Sequence, residues 1–332
     1  MPQEYTAIRL VKRPTTDITP ELFEVTKMTV PELNDGEILI KQTHMSLDPA
    51  MKGWMMPDTE SYIPPVGLGE VMRSSGLGEV VESKNENFPV GSRVAGMTGW
   101  AEYIVNDGQG MRPIPDGVPA EAVLSVLALP GLTAYQGLIN IGKPKAGETV
   151  LITGAAGSVG SMVGQIAKIE GLNVIGVAGT DEKCQWLVDE LGFDNAINYK
   201  SNDLLQQLQN AAPNGIDLFF ENTGGDIQHH VFDLINPHGR VIVCGMISDY
   251  NKLEPSKGPN WIPIIKKRIT IQGFAMPDHF DQMPAMMQQL GAYLMSGKLK
   301  YRAHTLNGLE SAINGINLLF TGGNTGKLIV KL

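Results

Sequence analysis

Residues Thr149–Gly179 read TVLITGAAGSVGSMVGQIAKIEGLNVIGVAG. The pattern predicts an apolar strand over Val150–Thr153, a glycine-rich turn, a helix from about Ser158, and a second strand over Asn173–Val177. Strand, tight turn, helix and strand within roughly 30 residues form the βαβ unit that holds a dinucleotide. Each glycine in the turn has a physical role. Gly157 lets the backbone approach a pyrophosphate, and Gly160 lets the helix pack closely on the strand. The unsatisfied N–H groups at the helix start then face the phosphate charge. Ala155, preceded by Gly154, stands where the first glycine of G-x-G-x-x-G is usual. A bare glycine pattern is weak, because such turns open many helices; the strand-turn-helix-strand context gives it weight.

Composition frames this unit. A chain of 332 residues exceeds one typical core and fits two domains. At 42% hydrophobic and 18% charged residues it has the balance of a globular protein. A net charge of −9 argues against nucleic acid or an anionic membrane as main partner. The start, MPQEYTAIRLVKRP, lacks the apolar core of a signal peptide, and no run approaches the roughly 18 apolar residues of a membrane span. Two cysteines, Cys184 and Cys244, make no disulfide framework and point to a reducing, cytoplasmic setting.

Before the nucleotide unit, short apolar segments (Ile38–Gln42, Gly78–Val81, Arg93–Ala95, Ala101–Val105) alternate with Gly, Pro, Asn and Asp clusters, as in a mostly β module. Helical text follows at Pro119–Leu129 and Gly131–Ile141. From residue 150 to about 300, strands and helices alternate as in a doubly wound α/β sheet. Helices are expected at Asp181–Leu191, Asn202–Ala211, Gln228–Ile235 and Phe280–Met295; strands are expected at Ala196–Tyr199, Gly215–Glu221, Arg240–Gly245 and Ile269–Phe274. Asp249–Pro263 reads as a long binding loop. Met283, Met286 and Met287 read as core packing. A helix at Ser311–Phe320 and a strand at Lys327–Val330 close the chain.

The cofactor type is read at the end of the second strand. An NAD-specific unit places Asp or Glu there to accept hydrogen bonds from the adenosine ribose. Here the text is Val177-Ala178-Gly179-Thr180, small and uncharged, with Lys183 one turn into the next helix. A carboxylate would repel a 2′-phosphate, so its absence favours NADP(H). Asp181 complicates the reading: it is either a displaced ribose-reading carboxylate or, more plainly, a helix cap.

Several ordered motifs now carry a family resemblance. PGLTAY (Pro130–Tyr135), the glycine turn, AGTDEK, NYK (Asn198–Lys200), ENTGG (Glu221–Gly225), CGMISDYN (Cys244–Asn251) and GNTGK (Gly323–Lys327) resemble the medium-chain dehydrogenase/reductase superfamily. Within it the chain resembles the NADPH-dependent, zinc-independent double-bond reductases: leukotriene B4 dehydrogenase/prostaglandin reductases, alkenal reductases and curcumin reductases. SLDPAMKGWM (Ser46–Met55) and SYIPPVGLGEVM (Ser61–Met72) extend it across essentially the whole chain. The resemblance implies a GroES-like catalytic domain from residues 1–125 and 300–332, and a Rossmann NADP(H)-binding domain over 126–299. It implies that Lys183 and Tyr199 clamp the 2′-phosphate. Thr133, Asn222, Tyr250 and Asn324 match family positions lining the cofactor. The cofactor-binding set it implies also takes in Ala155, Gly157, Ser158, Val159, Gly160, Gly179, Thr180, Cys244, Gly245, Ile247 and Phe274. A homodimer is implied as well, with an edge strand near Ile269–Phe274 as its expected contact.

The metal question stands on residues alone. Two cysteines cannot build a four-Cys zinc site, and the place where zinc dehydrogenases carry Gly-His-Glu reads Gly67-Leu68-Gly69-Glu70. No metal is expected. A conjugated enone needs no Lewis acid: hydride adds at the β-carbon, and hydrogen-bond donors hold the resulting enolate oxygen. Tyr250 or Tyr62, with the nicotinamide ribose hydroxyl, is the expected donor, and solvent protonates the α-carbon. Ala50 stands where many relatives have tyrosine after Ser-Leu-Asp-Pro, so their substrate preference does not transfer. The expected activity is NADPH-dependent reduction of small α,β-unsaturated carbonyls. A zinc-free quinone reductase and a non-enzymatic NADPH-binding scaffold are the alternatives.

Overall fold

The computed structural model describes residues 4–254 and 256–332; Pro255, inside the loop expected at Asp249–Pro263, lies outside them. The chain divides into two compact units: residues up to Leu124 together with Ala303–Leu332, and Ser125–Arg302.

The first unit opens with β1 (Glu4–Leu10) and β2 (Phe23–Thr29), paired antiparallel from Glu4↔Thr29 to Leu10↔Phe23. This hairpin was not expected, because β2 alternates charged and exposed residues and no tight-turn dipeptide joins the strands. β1 supplies the burial, through Ala7, Ile8 and Leu10. β3 (Ile38–Ser46), helix α1 (Met51–Met55), β4 (Arg73–Ser83), β5 (Arg93–Gly99), β6 (Tyr103–Asn106), β7 (Arg112–Pro113) and helix α2 (Ala120–Ser125) follow. β4 and β5 run longer than expected because their glycines lie inside the paired ladder rather than ending it. Gly76 and Gly96 instead face each other across the ladder. A Cβ at Gly76 would lie 2.4 Å from Gln42 Oε1, so close approach of chains requires glycine inside the strand.

The second unit begins with α3 (Leu129–Tyr135), which continues as a wider π turn over Gln136–Ile141. Then β8 (Thr149–Ile152), α4 (Ser158–Ile169), β9 (Asn173–Ala178), α5 (Asp181–Asp189), β10 (Asn195–Asn198), α6 (Leu204–Ala211), β11 (Ile216–Glu221), α7 (Ile227–Leu234), β12 (Ile235–Val243), α8 (Ile262–Lys267), β13 (Thr270–Gly273) and α9 (Met283–Met295) alternate. The parallel six-stranded order is β10-β9-β8-β11-β12-β13. One face buries Val150, Ile152, Met162, Val163 and Ile166; the other buries Leu151, Phe219, Val231 and Val241. Val, Ile, Leu and Phe alternating between two covered faces are what a buried parallel sheet demands. Met286 is buried, and Met283 and Met287 pack on the first of these cores.

Three expected boundaries move. α7 stops at Leu234 and the strand starts at Ile235, so Pro237 and Gly239 fall inside an irregular strand start, with His238 at φ +65°. α8 occupies the end of the expected loop. Phe280 lies in a 3₁₀ turn over Met276–Gln282, and α9 starts only at Met283, with Pro284 in its first turn.

The chain closes in the first unit with β14 (Ala303–Asn307), α10 (Ser311–Gly315), α11 (Leu318–Thr321) and β15 (Lys327–Lys331). The single helix expected over Ser311–Phe320 is thus two short ones. The sheet order is β14-β15-β3-β4-β5-β7, with β6 paired to β3. β15 lies antiparallel to β3, pairing Ile329 with Ser46. Lys327, 1% exposed, donates to the Leu47 carbonyl and to Asp48, both at 2.8 Å. Among the described residues, no helix is long and apolar enough to cross a membrane.

Candidate functional site

The sheet order of the second unit reverses between β8 and β11, and ligands of open α/β sheets bind at such a point, beyond the carboxyl ends of the strands. The glycine turn leaves β8 there. Gly154 adopts φ +59°, and the Gly157 N–H donates to its carbonyl at 2.9 Å. A Cβ on Gly160 would lie 2.4 Å from Gly154 O and 2.7 Å from Ala155 Cα, so only glycine lets α4 sit this close to the turn. Ala155 is fully buried, and its N–H donates to Val177 O at 3.0 Å, tying the turn to β9. α4 is 12 residues long and Gly157, its N-cap, offers no side-chain acceptor. The amides of Ser158, Val159 and Gly160 thus head an uncapped helix, whose dipole favours an anion.

The end of β9 forms a second focus. Thr180 is the N-cap of α5, its hydroxyl accepting from the Lys183 N–H at 3.2 Å. Asp181 is not the cap: its carboxylate accepts from Asn198 Nδ2 at 2.8 Å. That corrects the plainer reading of Asp181, and the reason is tertiary, since Asn198 ends the neighbouring strand. Tyr199 stands beside Gly179, where a Cβ would be 3.1 Å from Tyr199 Cε1. Lys200 Nζ lies 5.7 Å from the centre of the Tyr199 ring. Lys183 is half-buried, and burial, then the charge of Lys200, push its ammonium pKa below the ordinary lysine value. Gly179, Thr180, Lys183 and Tyr199 are therefore gathered at one strand tip. Lys200 joins them, its ammonium lying against the Tyr199 ring and its charge acting on Lys183; its place in the sequence does not show this. Two cations held near one another around a small, uncharged strand tip fit a dianionic group such as a 2′-phosphate.

The third focus is the end of β11. Glu221 is 0% exposed. Its Oε1 accepts from Thr153 Oγ1 at 2.5 Å, the Thr223 N–H at 2.7 Å and the Gly224 N–H at 3.1 Å; its Oε2 accepts from Gln228 Nε2 at 2.9 Å. Asn222 donates to the Thr153 carbonyl at 2.7 Å through Nδ2. The next strand, β12, ends at Val243 and is followed by Cys244 and Gly245, whose N–H groups donate to the Glu221 carbonyl at 2.9 and 3.1 Å. Ile247 and Ser248 donate to the carbonyls of Asn222 and Thr223 at 3.3 and 2.8 Å. Tyr250 folds back over this turn, its hydroxyl accepting from the Met246 N–H at 3.3 Å. Burial and the Glu221 carboxylate push the Cys244 thiol up to about 12.

Thr133 lies on α3, half-buried, and Phe274 follows β13 with its ring beside Gly137, where a Cβ would be 3.0 Å from Phe274 Cζ. Tyr62 and Asn324 belong to the first unit. Tyr62 is exposed, and Asn324 donates to Gly326 O at 2.9 Å within its own turn. Thr153, Glu221 and Gln228 were not expected as site residues. A lone apolar strand ending in Glu gives no sign that the carboxylate turns inward. Among the described residues, no group of three or more His, Cys, Asp or Glu side chains could hold a metal ion.

A parallel sheet with a phosphate-type glycine turn at its switch point defines a dinucleotide-binding oxidoreductase fold. Residues 6–114 match the model for the N-terminal domain of oxidoreductase, and residues 158–292 that for zinc-binding dehydrogenase. The chain is 37% identical to the NADPH-dependent curcumin reductase of Escherichia coli, over 97% of this chain and 95% of that protein. It is 39% identical to a 2-alkenal reductase (NADP(+)-dependent) of Nicotiana tabacum, covering 94% and 92%. The crystal structure of CurA in complex with NADPH from Vibrio vulnificus superposes with a TM-score of 0.92 at 39% identity, covering 98% of each chain. The chain belongs to the medium-chain dehydrogenase/reductase superfamily, in its zinc-independent double-bond reductase branch. Its fold is a Rossmann sheet plus a mostly β GroES-like unit.

Proposed function

We propose that this protein reduces the C=C bond of α,β-unsaturated ketones or aldehydes with NADPH. The carrying observation is the carboxylate-free strand tip framed by Lys183, Tyr199 and Lys200, in a chain 37–39% identical over nearly its full length to NADPH-dependent curcumin and alkenal reductases. Ser158, Val159 and Gly160 hold the pyrophosphate with their amides, and Ala155 and Gly157 leave room for it. Thr180, Gly179, Lys183, Tyr199 and Lys200 hold the 2′-phosphate. Thr133, Asn222, Cys244, Gly245, Ile247, Phe274 and Asn324 line the rest of the cofactor.

NADPH bound there supplies the hydride that adds to the β-carbon. Electron density moves to the carbonyl oxygen, giving an enolate that a tyrosine hydroxyl, Tyr250 or Tyr62, stabilises by hydrogen bonding. A proton from solvent then reaches the α-carbon. A pre-positioned donor is worth more than mobile water, because no dipole must reorient as the charge develops.

We also infer a division of labour: residues 1–125 and 300–332 form the catalytic domain, and 126–299 bind NADP(H). The protein is a cytoplasmic homodimer. The dimer reading is supported by β13, which among the described residues pairs only with β12, and by the adjacent α8 and its N-cap, where Ile265 and Trp261 are 81% and 60% exposed. A strand edge beside an apolar helix suits a two-fold contact between copies.

The test of the reaction is NADPH-dependent loss of enone absorbance, with the product identified by NMR. A saturated ketone, carrying deuterium at the β-carbon when the transferable hydrogen of NADPH is deuterium, is expected. An allylic alcohol overturns the proposal.

A further inference from the structure

We propose that Glu221 is a positioning residue that sets the placement of Tyr250 through the two loops leaving β11 and β12. This rests on the reading of Tyr250 given above. Glu221 is fully buried, and among the described residues no Lys, Arg or His forms an ion pair with it. A buried carboxylate without a cation is expensive unless its lone pairs are satisfied, and an apolar residue of similar size generally serves stability as well or better. The charge is thus retained for arrangement rather than for stability.

What it arranges can be followed bond by bond. Its Oε1 gathers Thr153 from the end of β8 and the amides of Thr223 and Gly224. Those amides fix the start of the loop in which Gly224 and Gly225 adopt φ +72° and +78°. Its Oε2 takes the Gln228 amide at the start of α7. Its backbone carbonyl receives the amides of Cys244 and Gly245. The loop so fixed accepts, through Asn222 O and Thr223 O, from Ile247 and Ser248. The 244–248 turn then seats the Tyr250 hydroxyl against the Met246 amide, with Gly245 leaving the space: a Cβ there would be 3.2 Å from that hydroxyl. One carboxylate therefore ties together the ends of β8, β11 and β12, and Tyr250 is the outermost member. Both oxygens face inward to protein donors, so Glu221 acts through the loops rather than on a ligand.

The test uses Glu221→Gln in the full-length enzyme. Gln228 can turn its amide to offer an oxygen to the new amide, so the variant keeps size and connectivity while losing the charge. We expect kcat to fall about tenfold, as for weakening of charge-assisted hydrogen bonds, with a far-UV spectrum like that of wild type. We further expect Glu221→Gln and Tyr250→Phe to be strongly non-additive on kcat, because the first acts through the second. Full additivity, or wild-type kcat with only a lowered Tm, overturns the proposal and leaves Glu221 a stability residue. If Glu221→Gln does not fold, Thr153→Val, which removes one donor to the same oxygen, takes its place with the same two criteria. The wild-type enone assay is run alongside. If wild type has no turnover, the reaction reading fails. The positioning role is then decided by the 19F resonance of 3-fluorotyrosine placed at position 250 alone, which Glu221→Gln must shift and which, unshifted, refutes it.

Discussion

Replacing Lys183 by Met should separate cofactor choice from stability. Lys183 is half-buried, and burial first, then Lys200, hold its pKa below the ordinary lysine value. A depressed folded-state pKa means that the unfolded chain binds the proton more tightly. The charged form is therefore penalised in the folded apoprotein, and that penalty is relieved as pH rises through the folded pKa toward 10.5. At neutral pH, Lys183→Met removes the penalty, so the Tm of the apoprotein should hold or rise, with the difference vanishing at high pH. Binding should move the other way. A hydrogen bond between charged groups contributes about 1.5–3 kcal/mol. Half-exposure and the neighbouring Lys200 lower that share to roughly 1.4 kcal/mol, a tenfold weaker NADPH affinity. NADH, which lacks the 2′-phosphate, should bind with nearly unchanged affinity. Nucleotide fluorescence titrations with both cofactors give the comparison. In wild type, NADPH affinity should decline with rising pH from below 10.5, as Lys183 loses its proton, and the variant should lose that inflection. Equal weakening for NADH and NADPH would refute the assignment.

Three further outcomes are expected. Gly160→Val places a Cβ 2.4 Å from a backbone oxygen that cannot rotate away, so about 1–3 kcal/mol of stability is lost on overpacking; Gly291→Ala in α9, with nothing within 4 Å, should instead gain roughly 0.5–1 kcal/mol. Urea melts of the two variants decide it. Lys327→Met strands Asp48, which is 8% exposed, and should cost about 3–5 kcal/mol, whereas Lys327→Met with Asp48→Leu should cost much less than the two single changes together; additive losses would show that the pair does not interact. Cys244, pushed up to about 12 by burial and Glu221, should resist iodoacetamide in the native protein near neutral pH and react after unfolding; rapid native labelling seen by mass spectrometry would contradict the raised thiol pKa.

Much of the second unit is legible in the chain because its signals are local. Apolar runs of four to six residues and glycines at fixed offsets are read within one turn of structure. The β1–β2 hairpin was not legible, since β2 is an exposed, charge-bearing strand that gains its place from β1. Likewise β4 and β5 were cut short at glycines that the packed sheet requires. The irregular start of β12 at Ile235 was hidden behind Pro237 and Gly239, residues that usually end elements rather than sit within them.

By itself the sequence determined the βαβ unit, its glycine turn and a second strand ending without a carboxylate, because each depends on neighbours within about 30 residues. Only the tertiary structure decided that Asp181 turns to Asn198, that Lys200 shares the field of Lys183, and that Glu221 turns inward to the ends of three strands. It also laid β15 beside β3, some 280 residues away in the chain. The physical reason is common to all of these: hydrogen bonds and electrostatic fields act over a few ångströms of space, and the separations that bring those groups together are set by sheet order.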